Sequence, residues 1–418
     1  MLSVFQIRGI LSPLISILLI IFGTGFFYSY ISMTLRDQGY GEEVIGLVHS
    51  CYSLGLVLGA LFLEGFILRV GHIRAYAVFA AVSTASCLAM GLYFSPALWC
   101  AMRFLAGGAI AGVYIVVESW LLDKSSLRTR ADVLSLYMIC FYGAQAVSQF
   151  LLDVGDLKTL QPFAYYALFV TLSILPLAAT KVETPFIKEP ELFNVLGLYR
   201  HSPFGFMGTL VSGMILGSIY AFTANFGQEF NLQVSWLVSL TIFGGMAFQW
   251  PLGKLSDAYD RRWVLFGMST ASVVPCLLLV LYPSVAWLAY LCAFVAGGLT
   301  FTLYPISVAQ VCDRLSQNAL TSATGILVLA YGGGAVIGPL ISPVFINFMG
   351  YKGLWVSIIF FALFLSFFGL ATYNPLRRTV HKKAWVPFGK STPVAYELDP
   401  RVKEERLEES ERLYASKK

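Results

Sequence analysis

The chain has 418 residues, 57% hydrophobic and 12% charged, with a formal net charge of +5. Soluble domains carry about 25% charged residues, so a soluble globular protein is excluded, and the positive charges, spread over loops and tail, give no ground for a nucleic-acid partner. The uncharged runs have the length of about 20 residues that a spanning helix needs, which excludes the shorter alternating strands of a membrane barrel.

Twelve spans are expected, at roughly 10–34, 43–68, 73–94, 96–122, 131–153, 161–180, 204–228, 234–256, 262–282, 284–311, 319–348 and 351–373. The first follows Arg8, but its greasy run lasts from Gly9 to Leu35, longer than a signal-peptide core, so it reads as a retained span. The expected domains are an N-terminal six-helix bundle over 1–180, a linker over 181–203 containing Pro185, Pro190 and Pro203, a C-terminal six-helix bundle over 204–374, and a polar tail over 375–418. In the tail, Glu408 and Arg412 have the spacing of an i,i+4 pair on a short solvated helix.

Lysine and arginine set the orientation. One set of loops holds Arg69, Arg74, Lys124, Arg128, Arg130, Lys181, Lys188, Arg200, Arg261, Arg262 and Arg314, the other only Arg36, Lys158 and Lys352. The first set is expected in the cytoplasm with both termini, the linker and the tail. Trp99 and Trp287, near outer span ends, read as interface anchors. The seven cysteines lie in or beside apolar runs without a C-x-x-C pair, and the four histidines form no cluster. They read as packing residues, so no metal, cofactor or enzyme centre is expected.

The fourth span carries a charge where lipid would forbid one. Arg103 sits in Ala101-Met102-Arg103-Phe104-Leu105-Ala106-Gly107-Gly108, and a guanidinium cannot shed its proton. Its cost at the bilayer centre starts near 2.5–3.5 kcal/mol, so it is expected to face protein or a wet cavity. There it either binds an anionic group or tunes a proton-titrating partner, or else it ties helices structurally. The small residues around it mark a face for close helix packing.

The halves repeat. Phe104-Leu105-Ala106-Gly107-Gly108 returns as Phe294-Val295-Ala296-Gly297-Gly298, and Tyr114 and Asp123 return as Tyr304 and Asp313, each 190 positions on. Tyr142-Gly143-Ala144-Gln145 returns as Tyr331-Gly332-Gly333-Gly334 at an offset of 189. Near-constant offsets across several spans imply a duplicated six-helix unit, with both copies in the same orientation.

With these features the chain resembles a major facilitator superfamily transporter. Gly253-Lys254-Leu255-Ser256-Asp257-Ala258-Tyr259-Asp260-Arg261-Arg262 is similar to that family's G-x-x-x-D-R-x-G-R-R signature. The copy after the second span, Arg69-Val70-Gly71-His72-Ile73-Arg74, is degraded, with Leu68 in place of the acid. Arg103 to Gly107 resembles the R-x-x-x-G motif of the fourth helix, which the family links to proton coupling. Gly334 to Pro339 in the eleventh span resembles its glycine-proline kink motif, usually described in helix five. Val117-Glu118-Ser119-Trp120-Leu121 resembles a stretch ending helix four in one poorly characterised bacterial branch.

The resemblance implies an all-α integral membrane fold of twelve transmembrane helices in two pseudo-symmetric six-helix bundles. It also implies a cytoplasmic gate, here assigned to Arg69, Arg74, Glu118, Asp123, Asp257, Arg261, Arg262 and Asp313. Asp123 is expected to pair with Arg69, and Asp313 with Arg261 or Arg262; surface pairing without a gate role is the alternative. Glu118 lies about 22 Å from Arg103 along a straight helix, as either a proton site or a static partner of a nearby arginine. Glu64 reads as a snorkelling or locally paired residue. His49 reads as either a pH sensor or a hydrogen-bonded packing residue.

Polar and aromatic residues inside spans should face the interior, because unpaired amides are costly in lipid. Tyr28, Tyr30, Tyr142, Gln145, Gln149, Tyr220, Asn225, Gln228, Gln249, Tyr304 and Tyr331 are therefore candidates for lining the solute path, or for tying helices together. Tyr28, Tyr142, Gln145, Gln149, Asn225, Gln249, Tyr304 and Tyr331 join Arg103 as the substrate and coupling set.

The expected function is secondary active transport of a small organic solute by rocker-switch alternating access, coupled to protons, since no G-x-x-x-x-G-K-[ST] nucleotide loop is present. Import of a small anionic metabolite would suit Arg103, and export of amphipathic compounds an aromatic cavity; a non-transporting membrane sensor is the rival of another class. The protein is expected as a monomer in the cell inner membrane, with solute, protons and lipid as its partners.

Overall fold

Inside a bilayer the backbone has no water to bond, so each spanning segment must satisfy its own N–H and C=O groups as a helix. The computed structural model describes residues 4–125, 129–179, 195–313 and 317–373, and these form helices joined by short turns. In the first half they are α1 (Val4–Asp37), α2 (Glu42–Phe62, continued by Glu64–Val70), α3 (His72–Leu92), α4 (Pro96–Lys124), α5 (Arg130–Ser148, continued by the 3-10 turn Gln149–Asp153) and α6 (Gln161–Leu172, continued by Ile174–Ala178). In the second half they are α7 (Pro203–Glu229), α8 (Val234–Ala258), α9 (Arg261–Ala271, continued by Val273–Leu281), α10 (Ala286–Cys312), α11 (Gln317–Met349) and α12 (Gly353–Ala371).

Among the described residues, ten stretches are long and apolar enough to cross a membrane. One of them, Gly325–Ala371, holds both α11 and α12, parted by the 3-10 turn Gly350–Lys352. The 25-residue α8 is also long enough. The described helices therefore accommodate all twelve expected spans.

Local chemistry sets the boundaries. Pro96 and Pro203 stand in the first turn of α4 and α7, where a missing N–H costs nothing. Asp260 caps α9 by accepting from the Arg262 N–H at 2.9 Å. The turn between α2 and α3 passes through Gly71 at φ +90°, a conformation that favours glycine. Part of the expected linker is helical, at Val195–His201. Residues 181–194 and the tail, with its expected Glu408–Arg412 helix, lie outside the described residues.

Packing follows the repeat. In the first half α2 lies on α4, with α3 against α4 and α1 against α5 and α6; in the second, α8 lies on α10 and α7 on α11. A Cβ on Gly55 of α2 would strike the Phe104 carbonyl of α4, and one on Gly107 would strike the Tyr52 carbonyl. At matching positions, Gly244 of α8 faces the Phe294 carbonyl of α10, and Gly297 faces the Thr241 carbonyl. Such contact of backbone with backbone is what small residues allow where hydrophobicity cannot drive helix association. The halves meet where α2 packs on α11, α1 on α7 and α5 on α8.

Large apolar side chains such as Phe62, Phe348, Phe367 and Trp287 are exposed, as a surface facing acyl chains requires. Trp99 corrects its expectation as an interface anchor. It is buried, and its indole N–H points to the Met90 and Tyr93 carbonyls at 3.1 and 3.3 Å. The α3–α4 turn folds back over it, so its hydrogen bond is made inside the protein.

Candidate functional site

Between the halves lies a cavity with an empty volume of about 480 Å³. Ile21, Thr24, Gly25 and Tyr28 of α1 line it, with Tyr114 of α4 and Phe141 and Gln145 of α5. The second half contributes Tyr220 of α7 and Tyr331 of α11. Its wall is mostly aromatic, with hydroxyls and one amide as polar groups. Ligand pockets for small molecules have this mix of apolar wall and few polar groups.

Cross-half contacts frame the cavity. Tyr220 Oη donates to Gln145 Oε1 at 3.2 Å. Phe301 of α10 meets Tyr142 and Tyr220 edge-on, with ring centroids 6.0 and 5.8 Å away. Gln249 of α8 lies beside Tyr142. Tyr304 packs edge-on behind Tyr331 at 4.8 Å.

Gln149, one turn beyond Gln145, is spent on structure. Its Oε1 accepts from Ser29 at 2.8 Å, and its Nε2 donates to the Gly25 and Gln145 carbonyls at 3.1 and 3.2 Å. It ties α1 to α5. Tyr30 packs against Phe27 and Phe163 inside the first half.

Arg103 is buried, 2% exposed, within the first half. Its guanidinium carbon lies 3.8 Å from the Tyr52 ring centre and 4.9 Å from that of Tyr28. His49 stacks on Tyr28 at 5.8 Å, and its Nε2 is 2.7 Å from Ser32 Oγ. Tyr28 thus belongs to the cavity wall and to the arginine's enclosure.

The turns at 37–42, 153–161, 229–234 and 349–353 form the end expected outside, and the halves are joined there. Arg36 pairs with Glu229, donates to the Asn225 carbonyl at 3.0 Å, and covers the Tyr351 ring. Asn347 donates to Glu43, and Gln233 donates to Asp153 at 3.3 Å. Phe150 meets Trp236 edge-on at 5.0 Å. Asn225, expected along the solute path, belongs to this seal through its own bond to Tyr351 Oη at 3.4 Å.

At the opposite end the arrangement is different. Arg261 lies 3.1 Å from Asp257 and 2.8 Å from Asp313, all within the second half. Arg262 turns to the end of α12, donating to the Gly369 carbonyl at 2.6 Å and to Thr372 at 3.0 Å. Fully buried Glu118 accepts from Tyr137 Oη at 2.9 Å. The expected Asp123–Arg69 pair is not made. Asp123 pairs with its neighbour Lys124 at 3.0 Å, while Arg69 is exposed on Glu64–Val70 and Arg74 is exposed on α3. Among ion pairs joining two described residues, only Arg36–Glu229 crosses between the halves.

Sequence reading did not single out Tyr52, Phe141, Phe301 or the Arg36–Glu229 pair. The pair had a signal: opposite charges at matching ends of the first helix of each half. The rings had none, since an aromatic residue in an apolar run looks the same facing a cavity or a core.

The sequence model described as Major Facilitator Superfamily matches residues 14–233 and again 205–397. The chain is 28% identical over 342 residues to the uncharacterized MFS-type transporter YcaD of Escherichia fergusonii, covering 79% of this chain and 87% of that protein. It is 27% identical over 337 residues to the uncharacterized MFS-type transporter Ent638_1421 of Enterobacter sp. (strain 638), with the same coverage. In fold it is similar to the crystal structure of the nucleoside transporter NupG, at TM-score 0.73 and 14% identity over 89% of this chain and 100% of that one. It is likewise similar to a bacterial homologue of the human lysosomal transporter Spinster in an inward-facing, unoccupied conformation, at TM-score 0.69 and 14% identity over 90% and 100%.

Proposed function

The chain belongs to the Major Facilitator Superfamily, a family of multi-pass membrane transporters, and from that premise we propose that it moves a small organic solute across the bacterial inner membrane by rocker-switch alternating access, coupled to protons. The observation that carries this reading is the cavity walled by both halves and sealed at one end by the cross-half contacts of Arg36, Glu43 and Asp153. A rocking motion would open that end and close the other around a fixed site.

Tyr28, Gln145, Tyr220 and Tyr331 form the solute contacts in this reading, with Tyr142 and Tyr304 supporting them. Asp257, Arg261 and Asp313 make the inner gate of the second half. Glu118 carries the coupling proton, being the one carboxylate among the described residues that is fully buried. The lysine and arginine distribution supports termini in the cytoplasm, and a monomer suffices, since one chain supplies both walls.

The test is reconstitution of the purified protein into vesicles with an imposed pH gradient. Accumulation of a solute from a metabolite panel that collapses with a protonophore is the expected result, and its direction separates import from export. Vesicles that move nothing across the panel would end the transport reading and favour a sensor.

A further inference from the structure

Arg103 is buried with donors to spare. Neither its Nε nor its Nη2 has a hydrogen-bond partner, and no carboxylate among the described residues pairs with it. Its neighbours are the faces of Tyr28 and Tyr52, which soften the cost of burial but accept no N–H bond in the guanidinium plane. An arginine that tied helices together would aim its donors at carbonyls. This one holds two in reserve, and a buried, uncompensated charge is expensive.

A second reserve lies beside it. His49 is buried, within Coulombic range of Arg103, and its Nδ1 has no partner. Ser32 Oγ is 2.7 Å from His49 Nε2 and 3.1 Å from the Tyr28 carbonyl oxygen. The Ser32 hydroxyl has one proton: donated to the Tyr28 carbonyl, it leaves Nε2–H as donor to Ser32 and Nδ1 as a bare acceptor; turned to Nε2, it leaves Nδ1 as the N–H donor, the tautomer that a bound carboxylate would select. Both Arg103 and His49 pack on Tyr28, whose other contacts include Tyr220 of the cavity at 5.4 Å.

We infer that Arg103 and His49 form a carboxylate subsite joined to the central cavity at the Tyr28 ring, so that the transported solute is a monocarboxylate with a flat apolar body. The guanidinium fork fits a carboxylate in two parallel N–H···O bonds. One negative charge neutralises one guanidinium, whereas a phosphate dianion would leave a net charge in a site of low polarity. The body rests among Tyr28, Tyr114, Phe141, Tyr220 and Tyr331, and Tyr28 swings aside to admit the acid group. This inference rests on the transport reading above and names the chemistry of its solute.

The experiment compares benzoate with benzamide, and cyclohexanecarboxylate with its amide, by thermal shift on purified full-length protein. Wild type is expected to prefer the acids by about tenfold or more in apparent Kd, the scale of one charge-assisted bond. Arg103→Met is expected to abolish that preference while melting, without ligand, no lower than wild type, because an unsatisfied buried charge has gone. His49→Gln is expected to weaken the preference without removing it. Equal shifts by acid and amide in wild type would overturn the inference. So would a preference that survives Arg103→Met, or an Arg103→Met protein that fails to fold, since the arginine would then be structural. Solute movement in vesicles with no acid preference would sink the subsite and leave transport standing; vesicles that move no solute would sink the transport reading itself.

Discussion

Arg36 at the end of the first helix holds Glu229 at the end of the seventh, across the seam between the halves. Their side chains are 27% and 43% exposed, so the pair is worth about 0.2–1 kcal/mol. Removing either charge should therefore shift the balance of open and closed outer ends by about 1.4- to fivefold. The measurement is labelling of a cysteine placed at Gln145 by a membrane-impermeant maleimide added outside. Arg36→Ala and Glu229→Ala should each speed labelling, and the exchanged pair Arg36→Glu with Glu229→Arg should slow it again. Unchanged labelling in both single variants would remove this pair from the seal.

Gly107 should not tolerate a methyl group. Its Cβ would collide with the Tyr52 carbonyl on a backbone that has no side chain to move. Gly107→Ala and the matching Gly297→Ala are each expected to cost about 1–3 kcal/mol, the scale of overpacking. Gly143→Ala, where nothing lies within 4 Å, is the control and should be neutral or slightly stabilising. Melting temperatures in detergent decide this; a Gly107→Ala protein as stable as Gly143→Ala would contradict the packing described.

Two glutamines one turn apart should separate cleanly. Gln149→Ala removes three bonds, two of them tying α1 to α5, and strands the groups that made them, so it should lower stability by about 1–3 kcal/mol. Solute affinity should change little. Gln145→Ala removes an amide from the cavity wall, with the opposite pattern: near-normal melting and solute affinity weaker by about tenfold. The reverse assignment in a paired melting and binding assay would exchange their roles.

If Glu118 carries the coupling proton, Glu118→Gln should uncouple the protein without stopping it. Exchange of labelled for unlabelled solute across vesicles at equal pH should persist, while accumulation driven by a pH gradient falls to the level without a gradient. Tyr137→Phe, which deletes the bond to the Glu118 carboxylate, should weaken coupling less. Full gradient-driven accumulation in Glu118→Gln would rule the residue out.

The large features were legible because lipid leaves few choices. Span lengths, the 190-residue offset and the need to hide Arg103 all follow from what a bilayer refuses to solvate. The offset has a physical counterpart: Gly107 and Gly297 meet carbonyls at Tyr52 and Thr241, which are themselves 189 apart in number. Finer features depended on which way a side chain points. Gln145 and Gln149 share a helix face, yet the helix tightens to a 3-10 turn at Gln149, and only the structure shows one amide facing space and the other facing backbone. Asn225 looked like a pore residue because it is polar and spans the membrane, but its height on α7 puts it beside Arg36. Arg69 was matched to Asp123 by motif, whereas the helix restart after Leu63 leaves Arg69 exposed and Asp123 pairs within its own turn.

Where α2 crosses α11, Gly46 lies directly against the Pro339 carbonyl, and Ser50 one turn on donates to the Val336 carbonyl at 2.7 Å. No deformable side chain intervenes at that crossing. Main chain bearing on main chain can roll but cannot be compressed, so the halves can come no closer at that point. For the outer end to open in the proposed rocking motion, this contact would have to part together with the Glu43–Asn347 bond three residues away, so the crossing and the seal would yield as one.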